Sequence, residues 1–89
     1  MKEITVKIVN KLGMHARSAA AFSKLANNYS SSIEVSNGNI QVNGKSIMEL
    51  LTIAAAKGTE IKLRVHGPDE NNAIEVLADL VRNGFGEEI

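Results

Sequence analysis

The chain opens with strict alternation. Ile4, Val6 and Ile8 are apolar, with Thr5 and Lys7 between them, which predicts a strand with one buried face. Lys11-Leu12-Gly13 breaks the pattern. Phe22, Leu25, Ala26 and Tyr29 then recur at i, i+3, i+4 and i+7. That spacing predicts an amphipathic helix beginning near Ala16 and fading through Asn27-Asn28. Ile33 and Val35, then Ile40 and Val42, alternate with polar residues on either side of Asn37-Gly38, a tight-turn signal, and so predict a hairpin. Ser46 opens a second helix. Its apolar residues Ile47, Met48, Leu50, Leu51, Ile53 and Ala54 spread over more than one side. Glu49 completes the capping-box pattern with Ser46, and Lys57-Gly58 marks the expected stop. Ile61, Leu63 and Val65 predict a fourth strand, with Lys62, Arg64 and His66 on its other face. Pro68-Asp69 starts a last helix with a buried stripe of Ala73, Ile74, Leu77, Leu80 and Val81, and Gly84 ends it.

The predicted order is β-α-β-β-α-β-α, an α+β class in which an open sheet has its apolar face covered by helices. Periodicity makes the hairpin antiparallel but does not fix the strand order. The 89 residues make one domain, 1–89. Phe22, Tyr29 and Phe85 are the only aromatic residues, so the core is aliphatic. The chain has no cysteine, which excludes disulfides, thiolate metal sites and thiol nucleophiles. With no long apolar run and no signal-peptide pattern, it reads as cytoplasmic and not membrane-inserted. Zero net charge and scarce aromatics argue against nucleic-acid binding.

The candidate chemistry gathers in Gly13-Met14-His15-Ala16-Arg17-Ser18-Ala19. A helix start offers unpaired N–H groups and partial positive charge, which together favour an anion. Neutral imidazole has a free ring lone pair that can attack a phosphoryl group. The backbone N–H groups near Ala16 and Arg17 and the Arg17 guanidinium could then hold the acquired group. Arg17 in a first helical turn is a cation where the helix dipole disfavours one, which adds support for an anionic ligand. Residues 1–45 carry a balance of +4 and residues 46–89 one of −4, so the sequence around His15 is locally basic. A solvated surface histidine remains the bland alternative, since a His-x-Arg pair alone is a weak signal. Lys24 extends the basic surface or is simply exposed. Ile47, Met48 and Leu51 are either a partner-facing side of the second helix or core, and periodicity leaves both open. Ser46 reads as an N-cap and also as a phosphorylation site, where a phosphate would suit the helix start and repel acidic partners. His66 reads as solvated. Two histidines without cysteine make a metal site improbable, and no organic cofactor is implied. A small enzyme acting on phosphate esters or acyl phosphates is a further class, but no general-base constellation accompanies His15.

Two stretches together, Gly13-Met14-His15-Ala16-Arg17 and Gly44-Lys45-Ser46-Ile47-Met48-Glu49-Leu50-Leu51, resemble HPr, the histidine-containing phosphocarrier family of the bacterial phosphotransferase system. The resemblance runs from about Lys2 to Phe85. It implies an open-faced β-sandwich, a four-stranded antiparallel sheet in the order 1-4-2-3 with three helices on one face. It implies that His15 accepts a phosphoryl group on Nδ1 from phospho-enzyme I and donates it to enzyme IIA domains, and that the protein is a monomeric carrier rather than an enzyme. Arg17 and the backbone of Ala16, Arg17 and Ser18 would hold the group. Ser46 matches a regulatory serine, which implies a serine kinase/phosphorylase and a transcriptional regulator as partners in some bacteria. Ala20, Lys24, Lys45, Ile47, Met48 and Leu51 match the docking surface. The alternative is a mainly regulatory member, nitrogen-related or dependent on Ser46. The family usually has proline where this chain has Ser18, which is compatible with a first helical turn but presets its backbone less.

Overall fold

The structure is a computed structural model describing residues 1–89. Eight elements follow in order: β1 (Lys2–Lys7), α1 (Ala16–Ala26), β2 (Ser32–Asn37), β3 (Ile40–Asn43), α2 (Ile47–Thr52), β4 (Glu60–His66), α3 (Glu70–Arg82) and a 3-10 turn (Gly84–Gly86). The strands form one antiparallel sheet ordered β1-β4-β2-β3. The alternation seen in the sequence becomes register. Ile4, Leu63 and Val35 stand in line, as do Val6 with Ile61 and Ile33 with Val65. That face is buried beneath the helices, where Phe22, Leu50, Leu77 and Val81 complete the core. Across the open face, Glu3, Arg64 and Glu34 form a row of ion pairs at 3.1 and 3.2 Å. Exposed pairs of this kind add little stability.

Buried serines do work that hydrophobic periodicity does not show. Ser23 Oγ donates to the Lys45 carbonyl at 2.8 Å, and Asn27 Nδ2 donates to the same oxygen at 3.1 Å. The turn before α2 is therefore fastened to α1. Lys45 Nζ closes the seam by donating to the Tyr29 carbonyl at 2.6 Å. Asp69 at the start of α3 does not cap its own helix. Its carboxylate accepts from the Ser30 and Ser31 N–H groups at 2.9 and 3.0 Å and from the Ser31 hydroxyl.

The second helix departs from expectation in two ways. It ends at Thr52 rather than at Lys57-Gly58. Ile53 is its C-cap, and Ala54 turns out of the helix with φ +49°. Alanine would favour continuing the helix, but two tertiary bonds override it. Asn37 Nδ2 donates to the Ile53 carbonyl at 2.8 Å, and Ala55 O accepts from the Met14 N–H at 2.8 Å. The capping box is also only half formed. Ser46 Oγ accepts from the Glu49 N–H at 3.2 Å, but the Glu49 carboxylate accepts from the Asn43 N–H at 2.9 Å instead of turning back to Ser46. Ser46 N–H donates to the Asn43 carbonyl at 3.1 Å, so it is already satisfied.

Candidate functional site

The site is assembled from the loop after β1, the first turn of α1 and the chain's C-terminal segment. Gly13 makes the loop possible. Its φ is +69°, and a Cβ there would stand 2.5 Å from the Ala55 carbonyl oxygen. Glycine therefore meets both the backbone conformation and the close approach that seats the loop on the segment after α2. The next residue but one, His15, is the N-cap of α1, with extended backbone at φ −131°.

Ser18 locks this turn. Its hydroxyl is fully buried, accepts from the His15 N–H at 2.8 Å and donates to the Gly13 carbonyl at 2.8 Å. This is the capping-box arrangement with histidine as the N-cap. The resemblance drawn from the sequence leads one to expect proline here; this chain holds the first turn through a hydroxyl instead. Ala16 and Arg17 begin the helix, where their N–H groups have no intrahelical acceptor. The first turn holds no acidic residue.

The His15 side chain is 31 % exposed, and its Nε2 lies 2.9 Å from both carboxylate oxygens of Glu87. Glu87 is held by a second partner. The fully buried Asn10 donates through Nδ2 to Glu87 Oε1 at 2.9 Å and to the Gly13 carbonyl at 2.7 Å. Both of those partners are acceptors, which fixes the amide with its NH2 towards them and leaves Asn10 Oδ1 buried without a partner. The Glu87 carboxyl is lowered from its ordinary value, first by the bond to His15. The Asn10 bond and the charges of His15 and Arg17 add to this, and burial works against it. Backbone pairing fastens the segment as well, since the Lys11 N–H donates to the Glu88 carbonyl at 2.8 Å.

The fold thus corrects one reading of the sequence. The stretch around His15 is basic along the chain, but the turn after α3 brings Glu87 and Glu88 against it, and Lys11 Nζ lies 3.7 Å from Glu88. Asn10 and Glu87 were not among the candidate site residues read from the sequence. Asn10 carried one faint signal, a polar residue directly after an apolar alternation. Glu87 lies 72 residues from His15, beyond the reach of any local pattern.

Arg17 is exposed and makes no ion pair, on the rim of an open depression that also holds Leu12, His15, Phe85, Glu87 and Glu88. The open question over α2 resolves towards exposure. Ile47, Met48 and Leu51 are 42, 76 and 38 % exposed, while Leu50 and Ile53 are core. α2 packs beside α1, and Leu12, 69 % exposed, adds an apolar side chain at the rim of the depression. Lys24 is exposed, Ala20 half-buried, and the Lys45 ammonium is engaged by Tyr29. Ser46 is half-exposed at the start of α2, and His66 is exposed on the open sheet face, away from this region. No group of three or more His, Cys, Asp or Glu side chains is placed to hold a metal, and no helix is long and apolar enough to cross a membrane.

A half-open histidine at a helix start, in a loop bolted to an open-faced sandwich, defines a class of protein suited to carrying an anionic group rather than enclosing a substrate. Comparison with known proteins gives that class its family. Residues 2–83 match the family model described as the PTS HPr component phosphorylation site. The phosphocarrier protein HPr of Neisseria meningitidis is 45 % identical over 98 % of each chain, and that of Pseudomonas aeruginosa is 41 % identical over 98 % of each. The crystal structure of HPr-C-His from Thermoanaerobacter tengcongensis covers 100 % of both chains at 46 % identity with a TM-score of 0.95. The chain belongs to the HPr family of phosphocarrier proteins of the phosphotransferase system. The expected 1-4-2-3 sheet with three helices is the observed one.

Proposed function

We propose that the protein accepts a phosphoryl group on His15 Nδ1 from phospho-enzyme I and donates it to enzyme IIA domains. The observation that carries this reading is the placement of His15: N-cap of α1, partly solvent-accessible, beside N–H groups that lack intrahelical partners, with an uncommitted arginine two residues on. Phosphoryl transfer asks mainly for positioning and charge stabilisation. The backbone of Ala16, Arg17 and Ser18 and the Arg17 guanidinium supply donors for the phosphoryl oxygens. The protein is a carrier, loaded by one partner and discharged by another in the cytoplasm as a monomer, and takes no cofactor. Ile47, Met48 and Leu51, with Ala20, Lys24 and Lys45 around them, form the docking surface. Methionine's flexible thioether suits a face that must fit several partners.

Ser46 stands at the edge of that surface. A phosphate there would add about −1.5 to −2 charges next to an apolar contact face. It would sit at the start of α2 without unfolding it, so regulation through Ser46 by a serine kinase is part of the same proposal.

Purified protein with enzyme I and phosphoenolpyruvate should take up one acid-labile phosphoryl group, and His15→Ala should take up none. Equal labelling of the alanine variant would sink the assignment. Multiple turnover of small phosphate esters without partner proteins would favour an enzyme instead.

A further inference from the structure

We propose that Glu87 is a positioning residue for His15, holding the ring in the tautomer with its proton on Nε2 and facing the positive charge that the ring acquires when Nδ1 takes a phosphoryl group. The inference rests on the carrier reading but concerns a residue from the other end of the chain. Neutral imidazole has one nitrogen that donates and one that accepts. An ionised carboxylate only accepts. With both Glu87 oxygens 2.9 Å from Nε2, that nitrogen carries the proton and the lone pair is left on Nδ1. A glutamate carboxyl is ionised at neutral pH, and the hydrogen bonds to Glu87 favour that form further.

The contact is built rather than incidental. Asn10 is fully buried and spends its NH2 on Glu87 and on Gly13, and the Lys11 N–H pins the backbone one residue further on. Carboxylate, ring and loop are thus one hydrogen-bonded unit. In the transfer step, the Nδ1 lone pair forms the N–P bond while the bond from phosphorus to the donor breaks, its electron pair leaving with the donor. No proton moves. The ring keeps its Nε2 proton and becomes cationic, and the carboxylate already faces that proton. Donation to the next acceptor is the reverse. A carboxylate that orients an imidazole and stabilises its cation is a recurrent device in nucleophilic catalysis. Here it would serve a histidine that is itself the nucleophile.

The test compares the intact protein with Glu87→Gln and Glu87→Asp. Nitrogen NMR of the neutral His15 ring should show one tautomer, protonated on Nε2, in the unaltered protein. Glutamine can present either a donor or an acceptor, so the tautomers should mix in Glu87→Gln. The rate of uptake from phospho-enzyme I should fall about tenfold in Glu87→Gln and recover in part in Glu87→Asp, which keeps the charge. Exchange of the Lys11 amide reports whether the C-terminal segment stays docked, and it should be unchanged in Glu87→Gln. An unaltered tautomer, or uptake within twofold of the parent, overturns the proposal. So does a slower uptake that coincides with loss of Lys11 protection, because the segment would then be acting only as a prop. If the unaltered protein takes up no phosphoryl group, the carrier reading fails by itself, and the tautomer measured in the unphosphorylated protein still decides the role of Glu87.

Discussion

Replacing Ser18 with alanine should destabilise the protein by about 2 kcal/mol and loosen the loop that presents His15. The side chain removed is small, but it is fully buried and makes two bonds at 2.8 Å, one to the Gly13 carbonyl and one to the His15 N–H. The two losses are unequal. The Gly13 carbonyl keeps the Asn10 amide at 2.7 Å, so it forfeits only the net worth of one hydrogen bond, about 1 kcal/mol. The His15 N–H has no other acceptor, and stranding it costs roughly 1–2 kcal/mol. Alanine's better helix propensity returns about 0.5 kcal/mol. A net loss near 2 kcal/mol would lower Tm by roughly 10 °C for a domain of this size. In urea it would move the midpoint down by about 1–2 M. The assay is paired urea and thermal unfolding of the parent and Ser18→Ala, with amide exchange at His15 as the local readout. A loss below about 0.5 kcal/mol, or an unchanged His15 amide, would show that the hydroxyl does not hold the turn.

Gly13→Ala forces a Cβ to 2.5 Å from the Ala55 carbonyl at φ +69°, and should cost about 1–3 kcal/mol by urea unfolding as well as slowing phosphoryl uptake. Phe22→Ala empties a site with no exposed surface, and its cost of about 3–5 kcal/mol approaches the whole stability expected of a small domain, so calorimetry should find it barely folded. The exposed Met48, changed to Asp, should leave Tm within about 1–2 °C of the parent while weakening enzyme I binding at least tenfold in a titration, since a single surface charge alters little else. Asp69 is lowered below its ordinary 3.8, first by the Ser31 hydroxyl and then by the Ser30 N–H, so its contribution is present above that value and is lost as pH falls through the lower folded-state value. Thermal unfolding between pH 5 and pH 2 should therefore show a shallower acid decline in Asp69→Asn, and an identical slope would refute the role given to this carboxylate.

The strands and their buried faces were legible because that information is local, whereas the strand order came only with the family resemblance. Residues two apart in β1, β2 and β4 share a buried face, and register follows once those faces are stacked. The histidine was legible for a similar reason, since Gly13, His15 and the start of α1 are consecutive. The end of α2 was not, because Ala54-Ala55-Ala56 has every local reason to stay helical. What stops it is a bond from Asn37 on one side and one from Met14 on the other, neither within fifteen residues of its partner. Asn10 and Glu87 were hidden in the same way. A buried amide and a part-buried carboxylate have meaning only when their partners are known, and these two come from opposite ends of the chain.

The arrangement also bears on how a carrier can serve more than one partner. A transfer protein must release its donor before it meets its acceptor, which favours a small, short-lived contact over a large interface. Under the docking role proposed for them, the exposed apolar residues would fit that need, since Ile47, Met48 and Leu51 with Leu12 are few and lie on short segments. A weak contact cannot by itself order a reactive group, so the order has to be present before the partner arrives. Here it is supplied from within by Gly13 seated on Ala55, Ser18 across the first turn, and Asn10 behind Glu87. Preorganisation of this kind moves the cost of positioning from each encounter to the single event of folding. It follows that variants loosening this network should slow transfer to every partner alike, whereas variants on α2 should discriminate among them. Parallel measurement of Ser18→Ala and Met48→Asp against a donor and two acceptors would separate the two effects.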